Sequence, residues 1–198
     1  MTGVQTCALP ISAYMTDDQR FAYRRTDVLS FQTPLLTEDL TLSGTIVADL
    51  LTSISSTDAD FVVKVIDVFP DDFSYEGLPA ITGRQAQGSY PMSGYQMLVR
   101  GEIMRGKFRN SFELPIPFKP GKAENVKFEL PDVAHTFQKG HRLMIQIQSS
   151  WFPLADRNPQ QFLSIPTARD NDYRKAAITL QHNSEWPSHI LLPIAEEQ

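Results

Sequence analysis

The feature that most constrains the fold is a period-two alternation of apolar and polar residues along the chain. It is clearest between residues 40 and 50, where the apolar positions of one parity are Leu40, Leu42, Ile46, Ala48 and Leu50. Such alternation is typical of a β-strand with one buried face. Further extended segments are predicted at 61–69, 95–108, 124–130, 142–150, 177–182 and 189–194.

Seven or eight short strands joined by turns and proline-rich connections predict an all-β fold. We expect an antiparallel β-sandwich, specifically a jelly roll. Two short stretches, 14–23 and 168–175, are the only candidates for helix. The segment 74–91 is rich in glycine and proline and predicts a long loop that is functional or mobile.

The first twelve residues, 1–12, follow neither periodicity, and the composition changes abruptly at Tyr14. The run from Gly3 to Ile11 looks like translated sequencing-adapter DNA from assembled environmental reads. We therefore interpret 1–12 as a non-native tail and 13–198 as one domain, with an upstream domain missing. The alternative is a disordered native N-terminus.

Charge and composition disfavour several classes of function. The net charge of −5 gives the surface no general attraction for phosphate backbones, so nucleic acid is not an expected partner. No stretch approaches the roughly 20 apolar residues of a membrane helix, and no membrane partner is expected. The single cysteine, Cys7, excludes an internal disulfide. No Lys or Arg precedes the short apolar run from Cys7 to Ile11, which argues against a signal peptide. The sequence leaves the compartment open.

A search for catalytic patterns predicts no complete active site. The Gly-x-Ser-x-Gly elbow of serine hydrolases is absent, and its nearest imitation, 91–94, lacks the first glycine. No histidines have the spacing of a metal-binding pair, so we expect surface or loop histidines and no metal or cofactor. The histidines are His135, His141, His182 and His189.

Charged clusters have ordinary explanations. The carboxylates at Asp58 and Asp60, and again at 67–72, are expected to form turns, with a structural calcium site as the alternative. A basic run predicts solvated protection of a sheet edge, or else a surface for an anionic partner. Its members are Arg100, Arg105, Lys107 and Arg109.

The most unusual segment follows the predicted strand at 142–150. Trp151 and Phe152 follow it directly and would bury a large apolar area if they dock. Asp156 and Arg157 are candidates for a charge-assisted pair that fixes the loop. Two interpretations remain open: the loop packs on its own sandwich, or it docks against another domain.

This segment carries a resemblance. Residues 149–160 resemble the signature loop in the C-terminal domain of X-Pro dipeptidyl-peptidase-like serine hydrolases. That family includes α-amino-acid ester hydrolases, cephalosporin acylases and cocaine esterase. Residues 57–68, 105–113 and 130–137 with 140–142 agree, and the match runs from about Asp17 to Ile194, closest to the ester hydrolase branch.

The resemblance implies a jelly-roll, galactose-binding-like sandwich without a catalytic triad of its own. It predicts a non-catalytic accessory domain that packs on a missing α/β-hydrolase domain of the parent chain and helps shape the substrate cleft. The chain itself is predicted to be inactive, although its parent would be a serine hydrolase. The candidate interface residues are Trp151, Phe152, Pro153, Asp156, Arg157 and Asn158.

Two other functions compete with this one. A free-standing carbohydrate-binding sandwich would need coplanar aromatic side chains on one exposed sheet face, whereas the strand phenylalanines fall on apolar-rich segments and predict core. These are Phe61, Phe69, Phe108 and Phe128. A self-contained glycosidase would need two carboxylates facing each other across a cleft. A homo-oligomer is possible under any of these functions.

Overall fold

A computed structural model describes residues 14–74, 92–185 and 187–195. The predicted adapter-derived tail, Cys7 and nearly all of the loop at 74–91 lie outside these residues. The described chain holds one short α-helix, α1 (Arg20–Tyr23), and eight strands. The strands are β1 (Val28–Gln32), β2 (Leu40–Ile54), β3 (Asp60–Val68), β4 (Gln96–Arg105), β5 (Ala123–Phe137), β6 (Arg142–Gln148), β7 (Ile178–Leu180) and β8 (His189–Leu191).

The strands form two four-stranded antiparallel sheets. Sheet A has the order β1-β6-β3-β4. In sheet B the long strand β2 pairs with β5 along one side and with β7 and β8 along the other. The prediction of an antiparallel β-sandwich is confirmed, while the jelly-roll connectivity stays a prediction.

The main core lies between the two sheets. From sheet B it receives the alternating apolar residues of β2 and β5, such as Leu50 and Phe128, and from sheet A residues such as Phe61 and Val63. In the segment 124–130 the alternating apolar residues Val126, Phe128 and Leu130 are predicted to point inward, and all three are buried on β5. One buried face per strand explains why alternation was the dominant signal.

Sheet A is also covered on its outer face, which alternation alone does not reveal. Strand β3 is buried along nearly its whole length, and Val62 packs against Tyr14 and Trp151 in a second apolar cluster. On β6 the glutamines Gln146 and Gln148 are buried as well. The N-terminal segment 14–23 and the loop after β6 thus form a third layer over sheet A.

Several element boundaries predicted from the sequence differ from those in the structure. The candidate helix at 14–23 contains only the four-residue α1, and the candidate at 168–175 contains only a 3-10 turn, Asp170–Asp172. Strand β1 begins before the first predicted extended residue, and β5 runs through Pro131 to Phe137. Neither candidate helix has the long apolar stripe that would dock it on the core.

Three connections meet at one end of the sandwich, which we call the loop end. The register of the antiparallel pairs places there the β2–β3 connection, the β4–β5 connection and the β6–β7 connection. The described helical residues contain no helix long and apolar enough to cross a membrane.

Candidate functional site

The signature loop, Trp151 to Pro159, leaves β6 at the loop end and crosses the outer face of sheet A. Trp151 is buried at 7% exposure and lies over Gly101 of β4. A Cβ atom at position 101 would stand 2.9 Å from Cη2 of the indole. The missing side chain at Gly101 therefore makes the room in which the tryptophan ring lies.

The other end of the loop is held by a buried polar network. The side-chain nitrogen of Asn158 donates to Asp60 Oδ1 at 2.8 Å and to Asp58 Oδ2 at 3.1 Å. Asp58 Oδ1 also accepts the backbone N–H groups of Ala59 and Lys107. Since Asp58, Asp60 and Asn158 are all buried, each of these contacts satisfies a group that water does not reach.

Cations complete this network from strand β4 and the turn after it. Arg105 Nε lies 3.2 Å from Asp60 Oδ1, and its Nη2 donates to the backbone carbonyl of Asp156 in the signature loop. The ammonium of Lys107 donates to the backbone carbonyl of Leu163 at 2.8 Å. The network thus ties β3, β4 and the β6–β7 connection together.

Burial raises the pKa of Asp58, and the nearby carboxylate of Asp60 adds to the rise. Burial also raises the pKa of Asp60, although Asn158 and Arg105 pull in the opposite direction. Two carboxylates confined in a dry space disfavour the doubly charged form. The amide of Asn158 therefore occupies the position where a donor is needed most.

These findings revise the predictions for the charged clusters. The carboxylates at 58 and 60 are structural acceptors in the described chain, and no group of three or more acidic, histidine or cysteine residues there could hold a metal ion. The basic run is not a solvated edge: Lys107 and Arg109 are buried and Arg105 pairs with Asp60, while Arg100 stays exposed. β4 is an edge strand, but Arg105 at its end and Lys107 in the turn after it point into the network that supports the loops.

The histidine prediction is also partly wrong. His141 is buried at 4% exposure, and its Nδ1 lies 2.8 Å from Asp67 Oδ1. His135 Nε2 approaches the other carboxylate oxygen of Asp67 at 3.0 Å. The two imidazoles, six residues apart across the β5–β6 turn, bracket one buried aspartate that lies on β3, inside the segment 61–69 predicted to be extended.

The outer side of the signature loop faces solvent. Phe152 is 49% exposed, and Asp156 and Arg157 are exposed as well. The Arg157 guanidinium lies 5.7 Å from the ring centre of Phe152 and 5.5 Å from that of Tyr173. Within the described residues no ion pair joins Asp156 to Arg157, so the predicted charge-assisted pair is wrong, and the guanidinium lies near two aromatic rings instead.

The six predicted interface residues therefore divide into two groups. Trp151 and Asn158 point inward and anchor the loop, while Phe152, Asp156 and Arg157 form its exposed surface. Pro153 follows Phe152 through a cis peptide bond and is half-buried. The first open interpretation, packing on its own sandwich, holds for the anchors and leaves the outer surface available to a partner.

Sequence reasoning missed a buried lysine beneath the Trp151 end of the loop. Lys64 of β3 is fully buried, and its ammonium donates to Gln19 Oε1 at 2.9 Å. Three aromatic rings surround it: Tyr14 and Phe21 at 5.5 Å from their ring centres, and Trp151 at 5.9 Å. A lysine between apolar neighbours on a central strand was the available signal.

The environment of Lys64 shifts its titration. Burial lowers its pKa to about 8, and the charge of Arg25 adds to the decrease. Ring faces and a single amide oxygen replace the water that an exposed ammonium would have. The site joins the N-terminal segment, strand β3 and the signature loop through one cation.

Comparison with known proteins gives consistent matches. A family model described as the X-Pro dipeptidyl-peptidase C-terminal non-catalytic domain matches residues 12–191. Cocaine esterase of Rhodococcus sp. (strain MB1 Bresler) is 31% identical over 177 residues, which cover 89% of this chain and 27% of that protein.

Two solved structures resemble this one closely. An aminopeptidase from a marine sediment archaeon, Thaumarchaeota archaeon, has 41% identity and a TM-score of 0.81 over 92% of this chain and 28% of its own. An α-amino acid ester hydrolase labelled with selenomethionine has 41% identity and a TM-score of 0.82 over 91% and 28%. The chain thus spans less than a third of the length of these relatives.

Proposed function

Because the chain belongs to the family of X-Pro dipeptidyl-peptidase C-terminal non-catalytic domains, we propose that it serves as the accessory domain of a serine hydrolase. In this role it packs on an α/β-hydrolase domain and helps shape the substrate cleft. The nucleophilic serine and the acyl-enzyme it forms belong to that other domain. The relatives are named as an esterase, an ester hydrolase and an aminopeptidase, which agrees with acyl transfer from an ester or amide.

The observation that carries the docking role is the two-sided signature loop. Its anchors are buried in a network of fixed geometry, so its outer side chains are held in place before any partner arrives. Such preorganisation lowers the entropic cost of association. Phe152 and Arg157 then offer an exposed aromatic ring beside a guanidinium, two groups enriched where protein surfaces meet.

The alternatives receive no comparable support. No comparison points to carbohydrate binding, and Phe61 and Phe128 are buried in the core as predicted. A glycosidase would need its carboxylate pair in an open cleft, whereas Asp58 and Asp60 are 0% and 1% exposed. No feature of the signature loop points to a membrane, a nucleic acid or a second copy of the chain as its partner.

The test is a chimera in which this chain replaces the matching part of the archaeal aminopeptidase. We expect the chimera to be soluble and to hydrolyse that enzyme's ester or peptide substrates, while this chain alone shows no turnover above background. The double replacement Phe152→Ser with Arg157→Glu should lower the kcat/KM of the chimera, or raise its rate of thermal inactivation, several-fold. Leu191→Ser, a similarly exposed apolar residue on sheet B, is the matched control.

Turnover by this chain alone that a serine-directed inhibitor abolishes would overturn the accessory role. A chimera that is fully active with the Phe152 and Arg157 replacements would remove the signature loop from the interface. Equal losses in the Leu191 control would show a general sensitivity of the chimera and contradict the specific contact.

A further inference from the structure

A second apolar surface projects from the loop end, on the β4–β5 connection (106–122). Its tip carries Phe112 and Leu114, which are 78% and 72% exposed, the highest values among the large apolar side chains described. We infer that this tip is an apolar plug that inserts into a recess of the hydrolase domain. The inference rests on the proposed function and extends the interface beyond the signature loop.

The connection is braced from inside by a buried arginine. Arg109 Nη1 donates to the backbone carbonyls of Gly106 and Ile116, each at 3.0 Å, and Nη2 donates to that of Pro117 at 3.2 Å. The guanidinium also pairs with Glu124 and lies 3.8 Å from the ring centre of Phe118. One cation thus binds both the segment that leaves β4 and the segment that returns towards β5.

The tip itself has a defined turn. The hydroxyl of Ser111 accepts the backbone N–H groups of Glu113 at 3.1 Å and of Leu114 at 3.2 Å, and two prolines, Pro115 and Pro117, follow. Proline restricts the backbone of the returning segment. In this turn the Phe112 ring stacks on Phe108, with 6.4 Å between the ring centres, while the side chains of Phe112 and Leu114 stay largely exposed.

The base of the plug is hydrogen-bonded to the β6–β7 connection, which also carries the signature loop. Lys107, at the base of the plug, donates from its ammonium to Leu163 and accepts the backbone N–H of Ile116. The backbone N–H of the neighbouring Phe162 donates to the hydroxyl of Thr57 in the β2–β3 connection. Six of the fourteen exposed large apolar residues described lie on the β4–β5 and β6–β7 connections: Phe112, Leu114, Ile116, Phe152, Phe162 and Tyr173.

The occupant we commit to is the hydrolase domain of the same protein. This chain corresponds to 27% or 28% of the relatives' lengths, so most of each relative lies outside the matched part and is the partner to which we assign the plug. Apolar side chains as exposed as those of Phe112 and Leu114, two residues apart on one tip, are typical of a contact surface. The hydrogen bond from Lys107 to Leu163 links the base of the plug to the connection that carries the signature loop, so one partner is sufficient for both.

Hydrogen exchange in the aminopeptidase chimera tests the plug directly. Backbone amides of residues 112–114 should exchange at least about tenfold more slowly in the chimera than in this chain alone, because docking excludes water from the tip. Phe112→Ser with Leu114→Ser should leave the melting temperature of this chain alone unchanged and should speed thermal inactivation of the chimera about tenfold. The matched control is Leu191→Ser with Ile194→Ser, which are exposed on sheet B.

The outcomes separate the inference from the proposed function. An active chimera whose tip exchanges as fast as in the isolated chain overturns the plug and leaves the accessory role standing. A chimera that never assembles into an active enzyme refutes the accessory role and the plug together. A dimer of this chain alone that the Phe112 and Leu114 replacements dissolve would assign the tip to a second copy and also overturn the inference.

Discussion

At the Asn158 end of the signature loop, one amide bridges two buried carboxylates; at the Trp151 end, three aromatic rings surround one buried ammonium. The two ends carry charges of opposite sign and lie under the same loop. The first depends on directed hydrogen bonds, which fail when one partner is replaced. The second depends on the ring faces around the ammonium together with one hydrogen bond to Gln19.

This contrast teaches how an accessory domain holds a loop rigid while leaving its outer face free. The polar end sets the position of the loop backbone through Asn158 and the carbonyl of Asp156. The aromatic end adds apolar burial and connects the loop to the N-terminal segment through Tyr14 and Phe21. Each end is therefore open to a different kind of disruption.

The largest expected effect comes from Asn158→Asp at the polar end. The replacement is isosteric but places a third carboxylate within about 3 Å of two others. We expect a loss of about 3–5 kcal/mol of unfolding free energy near pH 7, because a buried donor becomes a buried like charge. Chemical denaturation of both proteins measures this loss.

The pH dependence of that loss checks its cause. The pKa values of Asp58 and Asp60 are raised, so their carboxyls take up protons more readily in the folded than in the unfolded state. The cost of Asn158→Asp should therefore shrink as the pH falls from about 7 towards about 4. Asn158→Ala, which removes the donor without adding charge, is the control, and an equal cost at both pH values in Asn158→Asp would contradict charge repulsion.

An intermediate effect is expected for Lys64→Met at the aromatic end. The folded-state pKa of Lys64 is about 8, below the 10.5 of an unperturbed lysine, so the unfolded chain binds the proton more tightly. Stability contributed by Lys64 should therefore rise as the pH increases from about 8 to about 10.5. Relative to Lys64→Met, the wild type should therefore gain about 1–3 kcal/mol of unfolding free energy over this range.

The exposed Lys127→Met corrects for the general effect of removing one positive charge. A parallel pair of pH profiles for wild type and Lys64→Met would show that the ammonium is not desolvated by the rings. In that case the two ends of the loop would not differ in the way described above.

The smallest expected effect is that of Gly101→Ala beneath the tryptophan. The new Cβ would meet Cη2 of Trp151 at 2.9 Å and Cζ2 at 3.1 Å, so the ring must move by a few tenths of an ångström. We expect a cost of about 1–2 kcal/mol. In a Trp151→Phe background the smaller ring leaves room, and the cost should largely disappear in a double-mutant cycle. If the costs of Gly101→Ala and Trp151→Phe are additive, the contact between position 101 and the tryptophan ring is contradicted.

Much of the fold was predictable because the long strands β2 and β5 bury one regular face. Alternation at Leu42, Ile46 and Leu50 or at Val126, Phe128 and Leu130 needs only local spacing, and these residues form the core between the sheets. The signature loop was recognisable by its residue types. The identity of its partners was not, since Asp58 and Asn158 lie 100 residues apart.

The sequence by itself determined an all-β sandwich, the absence of a serine-hydrolase elbow and the loop that carries the family resemblance. Only the tertiary structure decided which side of that loop points inward, that Lys64 is buried, and that the basic run at 105–109 supports loops instead of facing solvent. The physical reason is that periodicity records whether one face of a strand is buried. It does not record what a distant segment lays over the other face.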